Sequence, residues 1–134
     1  MTERWTAVVW PPPLFRTRQL LVRVPLLTLV PLALGSAAGA TLSSYLWLSI
    51  AVQTVATFGG VAAGLEHDRL GGAVTRGIDG GLWFGLGLLG AHAAIGGSDH
   101  GLLAQPRPLQ LVVTSSVGAL LGLVGAMVRR RAIP

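Results

Sequence analysis

Four long runs almost free of charge constrain this chain more than anything else in it: residues 20–38, 42–65, 73–95 and 109–128. A helix rising 1.5 Å per residue needs about 20 apolar residues to cross a hydrocarbon core roughly 30 Å thick. Each run is close to that length. Charged residues make up 11% of the 134-residue chain, against about 25% in a soluble domain. The charged skin that a soluble fold of this size needs is missing, and the runs predict an all-α, four-helix transmembrane bundle. Joining the first two runs into one helix would make it far too long.

The links between the runs predict the threading. The first link, residues 39–41, carries no charge and reads as a tight turn between antiparallel helices. The middle link, EHDRLGGAVTRGIDG over residues 66–80, holds Glu66, Asp68, Arg69, Arg76 and Asp79. The third, residues 96–108, is built from Gly, Ser, Asp and Pro and carries Arg107. Arg4, Arg16, Arg18, Arg23, Arg69, Arg76, Arg129, Arg130 and Arg131 therefore fall on one side of the bundle, and Arg107 alone on the other. Cytoplasmic loops hold the excess of arginine and lysine, so both termini and the middle link are expected in the cytoplasm. All ten basic residues are Arg, which fits the codon bias of a GC-rich bacterial genome and a place in its inner membrane.

The organisation expected is a head over residues 1–19, the four spans over 20–128 and a basic tail over 129–134. Trp5, Trp10, Phe15, Arg16 and Arg18 have the amphipathic character of a membrane–water boundary. The prolines at 11–13 cannot continue a helix, so the head reads as a loosely ordered interfacial arm. It does not read as a cleaved signal, because the prolines interrupt it before any apolar run begins. Arg23 lies one turn inside the first span, where it can snorkel back to the headgroups. Pro31 predicts a kink there. The third helix is expected to start near Leu70 or Ala73, which brings Arg76 and Asp79 to the membrane border, three residues apart and able to pair.

Every span also carries small residues at four-residue spacing: Gly35 and Gly39, Gly60 and Gly64, Gly77 with Gly81 and Gly85, Gly118 and Gly122. On a helix each set forms a stripe of bare backbone. In lipid no hydrophobic force presses helices together, so close backbone contact must supply the attraction. The stripes predict packing within one bundle, or against another subunit or a second copy of the chain.

Few polar residues could carry chemistry. Asp79 heads them, as an ionisable residue at the edge of a span beside Arg76. His92 lies thirteen residues later, about 20 Å up the helix, too far to touch it. Gln53 falls mid-span, where an amide must find a partner. Glu66 and Asp68 join Asp79 on one face of the membrane. Glu66, His67 and Asp68 are adjacent and point in different directions on a helix, so they do not form a metal site. There is no cysteine and hence no thiolate site. Gly85, Gly87 and Gly90 spell G-x-G-x-x-G inside an apolar helix with no strand before it, which is not a dinucleotide fingerprint. The arginines form no stripe with interleaved aromatics, so no nucleic-acid partner is expected. No cofactor is expected either, and too few acids converge for an enzyme acting on lipid. The function expected is that of a small membrane protein with an interaction, accessory-subunit or assembly role. The alternative is an oligomeric channel or transporter for a small solute, with Gln53, Asp79 and His92 on its path.

Overall fold

The computed structural model describes residues 12–132. A single 3-10 turn, Phe15–Thr17, precedes five helices: α1 (Leu20–Leu27), α2 (Leu29–Thr41), α3 (Leu46–Leu65), α4 (Leu70–Ile95) and α5 (Leu109–Ala132). The described residues contain no strand. With α1 and α2 taken together, four helices are long and apolar enough to cross a membrane.

The interruption between α1 and α2 falls at Thr28. It lies three residues before Pro31, whose ring would clash with the carbonyl one turn back in a continuous helix. Breaking the chain at Thr28 puts Pro31 in the first turn of α2, where an amide has no intrahelical partner to lose.

The turn expected at residues 39–41 lies further on. Helix α2 continues through Thr41 and the chain reverses over residues 42–45. The reason is packing. Gly39 is buried, and a Cβ there would overlap the backbone of Leu88 in α4. The glycine is needed for helix contact, and Ser43 and Ser44 make the turn instead. Helix α4 starts at Leu70 and α5 runs on through Arg129, Arg130 and Arg131, where cations offset the negative end of the helix dipole.

The helices form a ring in the order α2, α4, α5, α3. Helix α4 packs most extensively, with α2 on one side and α5 on the other, and α3 closes the ring against α5 and α2. Glycine sets the spacing of three of these seams. Between α4 and α5, a Cβ on Gly77 would strike the carbonyl of Gly118, one on Gly118 the carbonyl of Gly77, and one on Gly81 the carbonyl of Thr114. Gly85 faces the Thr114 side chain, and Gly122 the carbonyl of Ala73. Between α2 and α4, Gly35 lies on the backbone of Phe84, and Gly87 on that of Leu32 and Ser36. Between α5 and α3, Gly64 meets Gly122, Gly125 meets Val61, and Gly60 abuts the Leu121 side chain.

The apolar core is small. Ala38, Leu42, Leu88 and Leu103 cluster at the end of the bundle covered by residues 96–108. The large apolar side chains point outward instead: Leu21 is 85% exposed, Trp47 81% and Phe58 72%. Exposed apolar surface on this scale marks a face for contact with a membrane or another protein.

Substitutions should divide by seam. Gly118→Leu puts a side chain into the facing backbone and should destabilise the bundle by at least about 3 kcal/mol, the upper end of ordinary overpacking. Gly90→Ala meets nothing within 4 Å and should leave stability unchanged or raise it by up to about 1 kcal/mol. Thermal unfolding in detergent, followed by circular dichroism, separates the two.

Candidate functional site

Side chains with chemical capacity gather where the head, the end of α3 and the start of α4 meet. Pro12 and Pro13 lead to Phe15, which is 6% exposed and whose amide donates to the Glu66 carbonyl at 2.9 Å. Its ring stacks on His67, with centroids 5.6 Å apart and planes 25° from parallel. The guanidinium groups of Arg23 and Arg76 lie 5.1 and 5.2 Å from the ring centre. Each such cation–π contact is worth about 0.5–2 kcal/mol, more as it is desolvated.

Helix ends leave carbonyls without intrahelical donors, and arginines supply them here. Arg129 donates to the carbonyl of Leu65 at the end of α3, and to that of Pro12 at 2.9 Å. Arg76 donates to the carbonyl of Leu26, next to the Thr28 break. His67 Nδ1 lies 3.0 Å from the carbonyl of Ala63. Arg18 pairs with Glu66 and both are largely covered. Arg16 and Asp68 pair at 3.1 Å with side chains 62% and 44% exposed, a surface pair worth roughly 0–1 kcal/mol.

The expected pairing of Arg76 with Asp79 is not formed. Asp79 makes no ion pair among the described residues, although its charge acts on Arg76. The broken first span offers Arg76 a carbonyl inside the bundle, and the guanidinium turns there. Three guanidinium Nε atoms remain buried without a hydrogen-bond partner, those of Arg18, Arg23 and Arg76. A buried donor left unpaired costs about 1–3 kcal/mol.

From this cluster a cavity of about 540 Å³ runs into the centre of the bundle. Glu66 and Arg76 line it, together with Phe84, Gln53, Gln110 and Thr114. Gln53 donates to Ser49, which donates to the Ala38 carbonyl at 2.8 Å. Gln110 accepts from the Ala104 amide at 2.7 Å, and Thr114 donates to the Gln110 carbonyl at 2.9 Å.

The candidates read from the sequence thus separate. Glu66, Arg76 and Gln53 share the cavity. Asp68 pairs with Arg16, and neither Asp68 nor Asp79 lines the cavity. His92 is buried at the opposite end, 6% exposed, its Nδ1 unpartnered, near Leu89 and Arg107. There Arg107 pairs with Asp99 at 2.7 Å. The Gly101 amide, and after it the Arg107 side chain, hold the Asp99 carboxyl below the usual carboxylate range. Among the described residues no three acids or histidines are placed to hold a metal ion.

The sequence reading took Phe15, Arg18 and Arg129 for parts of an arm and a tail. The docked head is also at odds with a loosely ordered arm, at least over residues 12–19; Trp5, Trp10 and the rest of residues 1–11 lie outside the described residues. The aromatic flanked by prolines and arginines was the available signal. Its partners, Glu66, His67 and Arg76, are about fifty residues away, and local spacing does not reveal them.

Two measurements check this geometry. Phe15→Ala should destabilise the fold by about 3–5 kcal/mol, as for a buried aromatic, and make the head sensitive to protease; Phe15→Leu should recover most of the loss. Asp99 has a depressed folded-state pKa, so its contribution to the loop is complete above the unfolded carboxylate value of about 3.9. It is lost as pH falls through the lower folded value. Hydrogen exchange at residues 96–108 should therefore rise only below about pH 4, and Asp99→Asn should remove that dependence.

No protein-family model, curated protein or solved structure matches this chain, so its own side chains carry the functional reading.

Proposed function

We propose that the chain is a multi-pass membrane protein, with both termini on the cytoplasmic side, that holds a small solute in the cavity at the centre of its bundle. The apolar exterior and the four long helices support the membrane setting. Arg16, Arg18, Arg23, Arg76 and Arg129 meet at one end of the bundle and Arg107 lies at the other, which supports the threading. The cavity is the observation that carries the solute reading. A space of about 540 Å³ is within the range of about 300–1,000 Å³ typical of small-molecule sites, and it combines apolar walls with a charged mouth. It lies inside one copy of the chain, so a solute site does not require an oligomer.

The glycine stripes, which pointed to an interaction role as readily as to internal packing, are largely used within the bundle. An accessory-subunit role is supported instead by the outer face of α3. Val55 and Phe58 are exposed there.

A reporter fused after Pro134 should be active in the cytosol and silent on the other side. Native mass spectrometry of protein purified in mild detergent should show a bound small molecule. Ala56→Phe, which fills the cavity from α3, should abolish that adduct while the protein still unfolds cooperatively. An adduct retained in full by the filled variant would remove the solute reading.

A further inference from the structure

We infer that the cavity takes an anionic amphiphile, a single apolar chain ending in a carboxylate or phosphate, with the anion held by Arg76 and Arg23. The inference rests on the cavity being a solute site and names what that solute is. Leu26, Val30, Leu34, Val113 and Leu121 make its walls apolar. Its few polar side chains each already make one hydrogen bond, Gln53 Nε2 to Ser49, Gln110 Oε1 from the Ala104 amide and Thr114 to the Gln110 carbonyl. The length of the cavity therefore suits a mainly apolar chain.

The mouth is different. Arg76 lines it and has a buried, unpartnered Nε. Arg23, just outside the lining, shares the Phe15 ring with Arg76; its Nε is also buried and unpartnered, and its side chain makes no hydrogen bond or ion pair among the described residues. Glu66, the one carboxylate lining the cavity, is paired with Arg18. Asp79 acts on Arg76 from its own helix without forming an ion pair. Among the described residues the cations here thus outnumber the carboxylates, in a setting where uncompensated charge is costly. A guanidinium fork matches a carboxylate or a phosphate. A neutral chain would leave the donors unpaired, and a free inorganic anion would leave the apolar walls unused.

The test uses the full-length protein in mild detergent, titrated with palmitate, hexadecyl phosphate, hexadecanol and inorganic phosphate and followed by native mass spectrometry. Palmitate and hexadecyl phosphate should each bind at least roughly tenfold more tightly than hexadecanol, the difference expected of charge-assisted hydrogen bonds. The tighter of the two identifies the head. Inorganic phosphate should not displace palmitate. Arg76→Gln and Arg23→Gln should each remove most of the preference for the anion and leave hexadecanol binding as it was, whereas Arg130→Gln, in the exposed tail, should change nothing.

Equal binding of palmitate and hexadecanol would overturn the inference and leave the cavity reading standing. Binding of none of the three chains by a protein that unfolds cooperatively would remove both. Displacement of palmitate by inorganic phosphate would mean that the anion alone is recognised, and would overturn the amphiphile. If Arg76→Gln does not fold, the wild-type preference and the Arg23→Gln variant, whose side chain has no hydrogen bond to lose, still decide.

Discussion

The close approach of α4 to α2 on one side and to α5 on the other is the contact on which everything else depends. In a soluble protein, apolar side chains leaving water would drive this assembly. Here many of the large apolar side chains face outward, and the points of closest helix contact fall at glycines. In the proposed membrane setting, transferring Leu from lipid to the core gains almost nothing. Cohesion must come from dispersion between closely packed backbones and from weak Cα–H···O contacts. Both decay within fractions of an ångström, so the seams need glycine at the particular positions where backbones meet.

This cohesion also accounts for the cavity. Dispersion pulls neighbouring helices together along lines and does nothing for helices on opposite sides of the ring. Helix α4 is drawn against α2 and α5, and α5 against α3. The two diagonal pairs, α2 with α5 and α3 with α4, have no glycine seam joining them. Small residues make the edges tight and cannot fill the middle. Gly60, Gly77, Gly81 and Gly118 contribute to seams and to the cavity wall at once, so the same substitutions that hold the ring together leave space inside it.

Much of the architecture was legible in the sequence. The helical character of the runs, the start of α4 near Leu70 and the interruption ahead of Pro31 follow from hydropathy length and proline sterics, which are local properties. The turn after α2 was misplaced because Gly39 has two physical uses, turning a chain and admitting a neighbour. Only the position of Leu88 in three dimensions separates them. Arg76 was misassigned for a related reason. A three-residue spacing permits a pair with Asp79, but the Leu26 carbonyl fifty residues away offers a hydrogen bond deeper in the bundle. The cavity left no mark on the sequence because it is the absence of side chains between elements, which no single stretch encodes.

The two ends of the bundle use arginine differently, and the difference is larger than the count of residues conveys. Arg107 is held by Asp99, eight residues before it, within one loop, so that end settles its charge locally. At the other end arginines reach across the chain: Arg129 to the end of α3, Arg76 to the end of α1, Arg18 to Glu66. The last two join segments that no glycine seam joins, Arg129 reinforces the α5–α3 seam at its end, and Arg129 and Arg76 satisfy carbonyls that helix ends leave open. Arginines that would fix the threading in the proposed topology are therefore also the clasps of that end of the bundle. Among the described residues that end has more cations than carboxylates, and the surplus sits on Arg76, which lines the cavity, and on Arg23, which shares the Phe15 ring with it.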